Sequence, residues 1–155
     1  MEFFKLTDCF RYREKRLPEE LLLLENMTLN IFSKWNNDYC NVFFPENIVP
    51  FLKKYVELKN KKQLTSEETN DVGIVDSYMI VSKRFWKDNI NTRRSYKTPV
   101  IRFLTLNYSI SFALNREKTE IESMFELENT DLTDNMKEEV ICYREKIRDL
   151  LGTRL

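Results

Sequence analysis

The sequence predicts an α+β fold, with a small β-containing domain at residues 1–45 followed by a mainly α-helical domain at residues 46–155. Three observations support this prediction. The segment "MTLNIF" at 27–32 alternates apolar and polar side chains, as a half-buried strand does. The segment "YCNVFF" at 39–44 is rich in residues that favour strands and ends at a proline. After that proline, apolar residues recur at helical spacing for most of the chain.

The N-terminal unit contains a predicted hairpin over 27–44, whose turn is the polar segment "SKWNND" at 33–38. The segment "PEELLLLEN" at 18–26 allows two interpretations. A proline in a first turn followed by two acidic residues favours a helix, because both suit a helix N-terminus. Four consecutive leucines also suit a buried strand. The boundary between the two domains is predicted near Pro45.

Four helices are predicted after that boundary. The first covers 46–58, where apolar residues lie opposite charged ones. A polar connection at 59–73 leads to a second helix at 74–90. The third, from 99 to 114, is the least certain from pattern, because its apolar residues alternate strictly from 104 onward. Length and the helix-start signal before it favour a buried helix over a strand. The last helix covers 135–151.

Capping residues predict where the last two helices begin and end. Thr98 is expected to cap the third, with Pro99 in its first turn. Asn135 is expected to cap the fourth, with Glu138 as its capping-box partner. Gly152 is expected to end that helix, since glycine commonly follows a helix C-terminus.

Composition excludes several classes of function. The chain of 155 residues has two glycines, too few for glycine-rich phosphate loops, and no histidine for nucleophilic triads or histidine metal sites. Its three cysteines are far apart, which predicts reduced thiols in an intracellular protein rather than disulfides or zinc ligands. We therefore predict a protein that is not an enzyme, with no cofactor, no metal and no small-molecule substrate.

Neither a membrane location nor a general attraction to nucleic acid is predicted. No apolar stretch approaches the roughly 20 residues of a membrane span, and the N-terminus lacks the pattern of a secretion signal. Net charge is zero. However, residues 1–105 carry 18 basic against 14 acidic side chains, and residues 106–155 carry 7 against 11. The two parts of the chain therefore have opposite charge, which favours contacts between them or with partners.

The segment 83–102 is the strongest candidate contact surface. It combines basic side chains with Trp86 and Tyr96 and contains a single acid, Asp88. Such a mixture can grip a phosphate backbone and stack on bases, and it also suits the positive half of a protein–protein contact. The candidate partner or DNA contacts are Lys83, Arg84, Trp86, Lys87, Arg93, Arg94, Lys97 and Arg102. Aromatic residues make up 13% of the chain, a surplus that predicts a contact surface for an obligate protein partner.

The opening segment "FFKLTDCFRYREKRLPEELLLL" resembles the start of a GINS subunit of the Psf-three type. An aromatic pair, a short "L-x-D" segment, a charged stretch and Leu-Pro follow one another in that order. The segments "PENIVPFLKKYVEL" and "ETNDVGIVDSYMIVSKRFW" are similar to the helices that come next in the family. The chain departs from the pattern at Glu19 and Glu20, and it lacks a tryptophan expected after Pro45, so the Psf-two type is the second choice.

The resemblance implies a non-catalytic structural role. GINS is the four-protein scaffold of the eukaryotic replicative helicase, acting in initiation and elongation of DNA replication. The implied partners are the other GINS subunits in a heterotetramer, the Mcm helicase ring and the Cdc-type helicase cofactor. The implied location is nuclear, and the basic loop 91–97 would be a contact loop near DNA.

Two hypotheses from other classes stay open. The first is a small helical viral adaptor that binds and masks host signalling proteins in a groove between its helices. It requires an exposed apolar groove in the monomer. The second is a nucleic-acid-binding module centred on 83–102, which requires strongly salt-dependent binding by the isolated chain.

Overall fold

The computed structural model describes residues 17–37, 45–89, 96–114 and 133–154, and it is almost entirely helical in these ranges. No strand occurs in this part of the chain. The five helices are α1 (Glu19–Asn36), α2 (Pro45–Asn60), α3 (Ser66–Asp88), α4 (Lys97–Ala113) and α5 (Asp134–Arg154).

The predicted α+β fold is therefore wrong. Residues 27–36, the first half of the predicted hairpin, belong to α1. Residues 1–16 and the predicted strand at 39–44 lie outside the described residues. The ambiguous segment 18–26 is the first half of α1, with Pro18 preceding its first turn and Glu19 and Glu20 within it. The helical interpretation of that segment is confirmed.

The strand prediction failed because it placed Thr28 on a solvent face. Thr28 is fully buried, and its Oγ1 donates a hydrogen bond of 2.7 Å to the carbonyl oxygen of Leu24, one turn earlier. A threonine that bonds back to its own helix can enter a core without an unsatisfied hydroxyl. The buried positions 21, 25, 28, 29 and 32 then follow helical spacing. α1 ends at Asn37, which adopts the left-handed conformation with φ 56°.

Helix α2 confirms the prediction for 46–58, and α3 begins eight residues earlier than predicted. Its N-terminus is a complete capping box. The Thr65 side chain accepts a bond from the Glu68 backbone N–H at 3.1 Å, and the Thr65 backbone N–H donates to Glu68 Oε1 at 2.9 Å. This pairing satisfies two backbone N–H donors that the first turn would otherwise leave without a partner. The polar sequence at 66–73 is thus helical although it has little apolar pattern.

Helix α4 confirms the helical prediction for 99–114. Every residue from 103 to 111 is buried. The alternation in this segment arises because small polar residues stand between large apolar ones, and both kinds are enclosed. Ser109 Oγ, for example, donates to the Thr105 carbonyl at 2.7 Å. The predicted start is wrong, since the helix begins at Lys97 after Tyr96 and Thr98 lies inside it without acting as its cap.

Helix α5 confirms the last predicted helix but not its caps. It begins at Asp134, and Thr133 Oγ1 accepts a hydrogen bond from the Met136 backbone N–H at 3.3 Å. Thr133 therefore takes the role predicted for Asn135, which is inside the helix. The helix also continues past Gly152 to Arg154. Its apolar row is formed by Met136, Val140 and Ile147, which are all buried.

The helices share one hydrophobic core, to which every one of them contributes. α4 packs against α2, α3 and α5, while α1 packs against α2 and α3. The largest fully buried side chains are Trp86, Tyr78, Tyr108, Phe32, Phe51 and Phe103. The domain boundary predicted near Pro45 stays a prediction, because much of the chain before it lies outside the described residues.

Candidate functional site

The predicted contact residues of 83–102 that the structure describes do not form one surface. Lys83, Arg84 and Lys87 are exposed along α3. Arg93 and Arg94 lie outside the described residues. The exposed cations that the structure places together are thus the three on α3.

Trp86 belongs to the core. It is 1% exposed, and its ring packs edge-on against Phe85, with centroids 4.7 Å apart. The ring of Tyr96, just before α4, has its centroid 5.7 Å from that of Trp86. This aromatic cluster joins the end of α3 to the start of α4. Stacking on a nucleic-acid base would require Trp86 to leave that cluster.

Arg102 and Lys97 are both paired within the fold. Lys97 Nζ lies 3.3 Å from Glu139 Oε2, an exposed pair between α4 and α5. Arg102 Nη1 donates to Glu25 Oε1 at 2.9 Å, and Tyr78 Oη donates to Glu25 Oε2 at 3.3 Å. These two hydrogen bonds connect α1, α3 and α4 through Glu25, a residue that is only 6% exposed.

Burial is the largest influence on the pKa values of Glu25 and Tyr78 in this cluster. Burial raises the pKa of the Glu25 carboxyl above its ordinary value, although the charge of Arg102 and hydrogen bonds from Tyr78 and Arg102 act to lower it. Burial also raises the pKa of the Tyr78 hydroxyl well above its ordinary value, and the Glu25 charge adds to that effect. Tyr78 therefore remains a proton donor to Glu25 across the physiological range.

A cleft of about 360 Å³ opens between α2, α3 and α4. Its size is within the range of natural ligand sites, at the small end. The residues that line it combine apolar, cationic and neutral polar side chains. They are Tyr55, Lys59, Asp76, Met79, Ile80, Lys83, Asn107, Ile110 and Ser111.

One wall of the cleft is held in place by a set of contacts between α2 and α3. Tyr55 Oη donates to Asp76 Oδ1 at 2.6 Å, and Lys59 Nζ donates to Asp76 Oδ2 at 2.9 Å. The Lys59 ammonium also lies 5.6 Å from the centre of the Tyr55 ring. Both oxygens of Asp76 are thus engaged, and Asp76 is the one carboxylate among the described residues that line the cleft.

The floor and the opposite lip of the cleft have features that the packing of the monomer does not explain. Asn107 on α4 is 6% exposed, and its Nδ2 is buried with no hydrogen-bond partner. A buried donor without a partner costs free energy, and this nitrogen is enclosed, so an acceptor in the cleft does not reach it in this arrangement of the side chain. Ile80 on α3 is 59% exposed, a large apolar side chain at the mouth of the same cleft.

The cleft can support recognition of a bound segment, because it combines apolar contact with cations. Within the described residues, no three cysteine or carboxylate side chains converge where they could hold a metal ion. None of the five described helices has the length and apolarity needed to cross a membrane.

The sequence identified Lys83 but missed the rest of the cleft. The bond between Tyr55 and Asp76 joins residues 21 positions apart on different helices, which no local pattern reveals. Asn107 did carry a signal, because an amide within an apolar run must either find a partner or stay unsatisfied. Comparison of the chain with protein-family models, with curated proteins and with solved structures gave no match.

Proposed function

We propose that this protein is a non-catalytic interaction protein that holds a segment of another protein in the cleft between α2, α3 and α4. One observation carries the proposal. The cleft is lined by a large exposed apolar side chain, Ile80, together with the exposed cation of Lys83. An apolar anchor with a polar group that fixes orientation is the usual composition of a binding site.

The proposal corresponds to the groove-binding adaptor hypothesis from the sequence, which required an exposed apolar groove in the monomer. The GINS role and its partners stay predictions, as do the nuclear location and the DNA contact. Helix α1 occupies part of the segment that the sequence assigned to the small β-containing domain.

The solution state of the isolated chain separates the two roles. Size-exclusion chromatography with light scattering should give a stable monomer, because the described helices already enclose a continuous core. Aggregation of the lone chain, together with a one-to-one-to-one-to-one complex on co-expression with the other three GINS subunits, would reject the adaptor proposal in favour of the scaffold.

Direct binding is tested with a synthetic helix-forming peptide of 16 residues that carries leucines at positions i, i+3, i+4 and i+7 and glutamines elsewhere. Titration into ¹⁵N-labelled protein should shift the amide resonances of Met79, Ile80 and Ile110. Ile80→Ser should weaken this binding. Leu23→Ser is the matched control, because Leu23 on α1 is also 59% exposed but does not line the cleft. Equal loss in both variants, or shifts confined to another face, would reject the cleft as the binding site.

A further inference from the structure

We infer that the occupant of the cleft is an acidic amphipathic protein segment, whose apolar side chain contacts Ile80 and whose carboxylates lie along the exposed cations of α3. This inference rests on the proposed function and specifies its partner. It is argued from the charge that surrounds the cleft and from its apolar lining.

The first step is the distribution of charge along α3. Between Asp76 and Asp88 the helix contains three cations, Lys83, Arg84 and Lys87, and no acid. These positions are three, four and seven residues after Ile80, so they continue from it along one side of the helix over roughly 10 Å. All of them are exposed, and none forms an ion pair with another described residue.

The second step is that the acid at the cleft is already neutralised. Asp76 accepts from both Tyr55 and Lys59, with distances of 2.6 and 2.9 Å. A basic ligand would have to compete with Lys59 for that carboxylate. An acidic ligand instead meets Lys83 at the lip and two further cations beyond it, which is the complementary arrangement.

The third step is the apolar lining of the cleft. A protein segment suits this site better than a nucleic acid for two reasons. Met79, Ile80 and Ile110 give the cleft an apolar lining, and the nearby Trp86 is buried where it cannot stack on a base.

The test compares three synthetic peptides of 16 residues with the same leucine row and with glutamate, glutamine or lysine at the remaining positions. Isothermal titration calorimetry at 0.15 M salt should give the glutamate peptide about tenfold higher affinity than the glutamine peptide, since several exposed ion pairs each contribute modestly. The lysine peptide should bind more weakly than either. The preference for glutamate should decrease at high salt, because exposed charges are screened.

Two variants assign the effect to residues. Lys83→Gln, Arg84→Gln and Lys87→Gln together should remove the preference for the glutamate peptide while leaving the glutamine peptide unaffected. Lys53→Gln, an exposed lysine of α2 outside the cleft, is the control.

The outcomes separate the inference from the proposed function. Equal affinity for the glutamate and glutamine peptides, with shifts at the cleft, would overturn the acidic partner and leave the cleft as a binding site. Failure of all three peptides to bind would reject both. Tighter binding of a single-stranded oligonucleotide than of the glutamate peptide, lost in the triple glutamine variant, would replace the protein partner with a nucleic acid.

Discussion

Replacing Arg102 with methionine should lower the free energy of unfolding by about 3 kcal/mol at pH 7, because it removes one partner of a buried ion pair. Arg102 Nη1 lies 2.9 Å from Glu25 Oε1, and the two side chains are 15% and 8% exposed. Without the arginine, the described hydrogen-bond donor left to Glu25 is the Tyr78 hydroxyl at 3.3 Å. A nearly buried carboxylate with a single neutral donor is strongly destabilising when ionised.

Two features set the size of this effect at the lower end of the usual range of roughly 3–5 kcal/mol. Arg102 keeps some contact with solvent, so its removal exposes Glu25 to some water. Glu25 can also take up a proton, since burial already raises its pKa in the native protein. Protonation limits the free-energy loss caused by removing Arg102. Neutralising Glu25 costs about 1.4 kcal/mol for each unit by which the solution pH exceeds its pKa.

The pH dependence has a definite sign. A carboxyl whose folded-state pKa is raised contributes stability that is fully present below its unfolded pKa and is lost as pH rises through the folded value. Removal of Arg102 takes away an attraction that lowers the pKa of Glu25, so the folded value rises further. The stability difference between the wild type and Arg102→Met should therefore shrink as the pH is lowered from 7 to 5.

Urea denaturation at pH 5 and pH 7 measures both effects. The double variant Glu25→Leu with Arg102→Met should recover part of the loss, because apolar residues of similar size can replace a buried pair, although the Tyr78 hydroxyl then loses its acceptor. A loss below about 1 kcal/mol at both pH values, or a double variant less stable than Arg102→Met alone, would refute the buried pair as a connection between α1 and α4.

Three further predictions concern other parts of the core and its edges. Phe51→Ala should lower the free energy of unfolding by about 3–5 kcal/mol in urea denaturation, because Phe51 is fully buried and packs 5.4 Å from the Phe32 ring; a loss under about 1 kcal/mol would contradict that packing. Thr65→Ala should cost about 1 kcal/mol in the same assay by removing the N-cap of α3, and an unchanged midpoint would show that the cap is not formed. Lys34→Met should lower the free energy of unfolding by about 1–3 kcal/mol, because it leaves Asp71, which is 7% exposed, without its ammonium partner. Hydrogen bonding to Asp71 raises the pKa of Lys34. The stability that this pair contributes is therefore present below about pH 10.5 and is lost as pH rises through the folded-state pKa of Lys34.

Helical periodicity was sufficient to predict a helix from the sequence where one face of that helix is apolar and the other is solvated. α2 and the core-facing positions 136, 140 and 147 of α5 have this pattern, and both helices were predicted. α1 lacks this pattern, because the polar residue Thr28 lies on its buried face, where its hydroxyl bonds to the carbonyl of Leu24. The sequence around Thr28 therefore alternates apolar and polar residues as a strand would. The first two turns of α3 are mostly polar, and a capping box rather than an apolar row indicates where that helix begins.

The site was less predictable than the fold for a physical reason. Lys83 is visible in the sequence as part of a basic stretch, but exposure decides whether such a residue is available, and exposure depends on packing. Arg102 and Trp86 belong to the same stretch and are directed into the interior. The wall formed by Tyr55 and Asp76 exists because α2 and α3 pack together, so it depends on the tertiary structure and not on a motif.

The enclosure of α4 determines how the two sides of the cleft can move. Amide hydrogens of a helix buried against three others exchange with solvent mainly through global unfolding, whereas a helix with a solvated face can open locally at lower free energy. Asn107, Ile110 and Ser111 on the floor should therefore be among the slowest amides to exchange, and the turn around Ile80 among the faster ones on the cleft. Structural adjustment to a bound partner would then occur in α3. The residues of α4 would form the same rigid floor for partners of different shape.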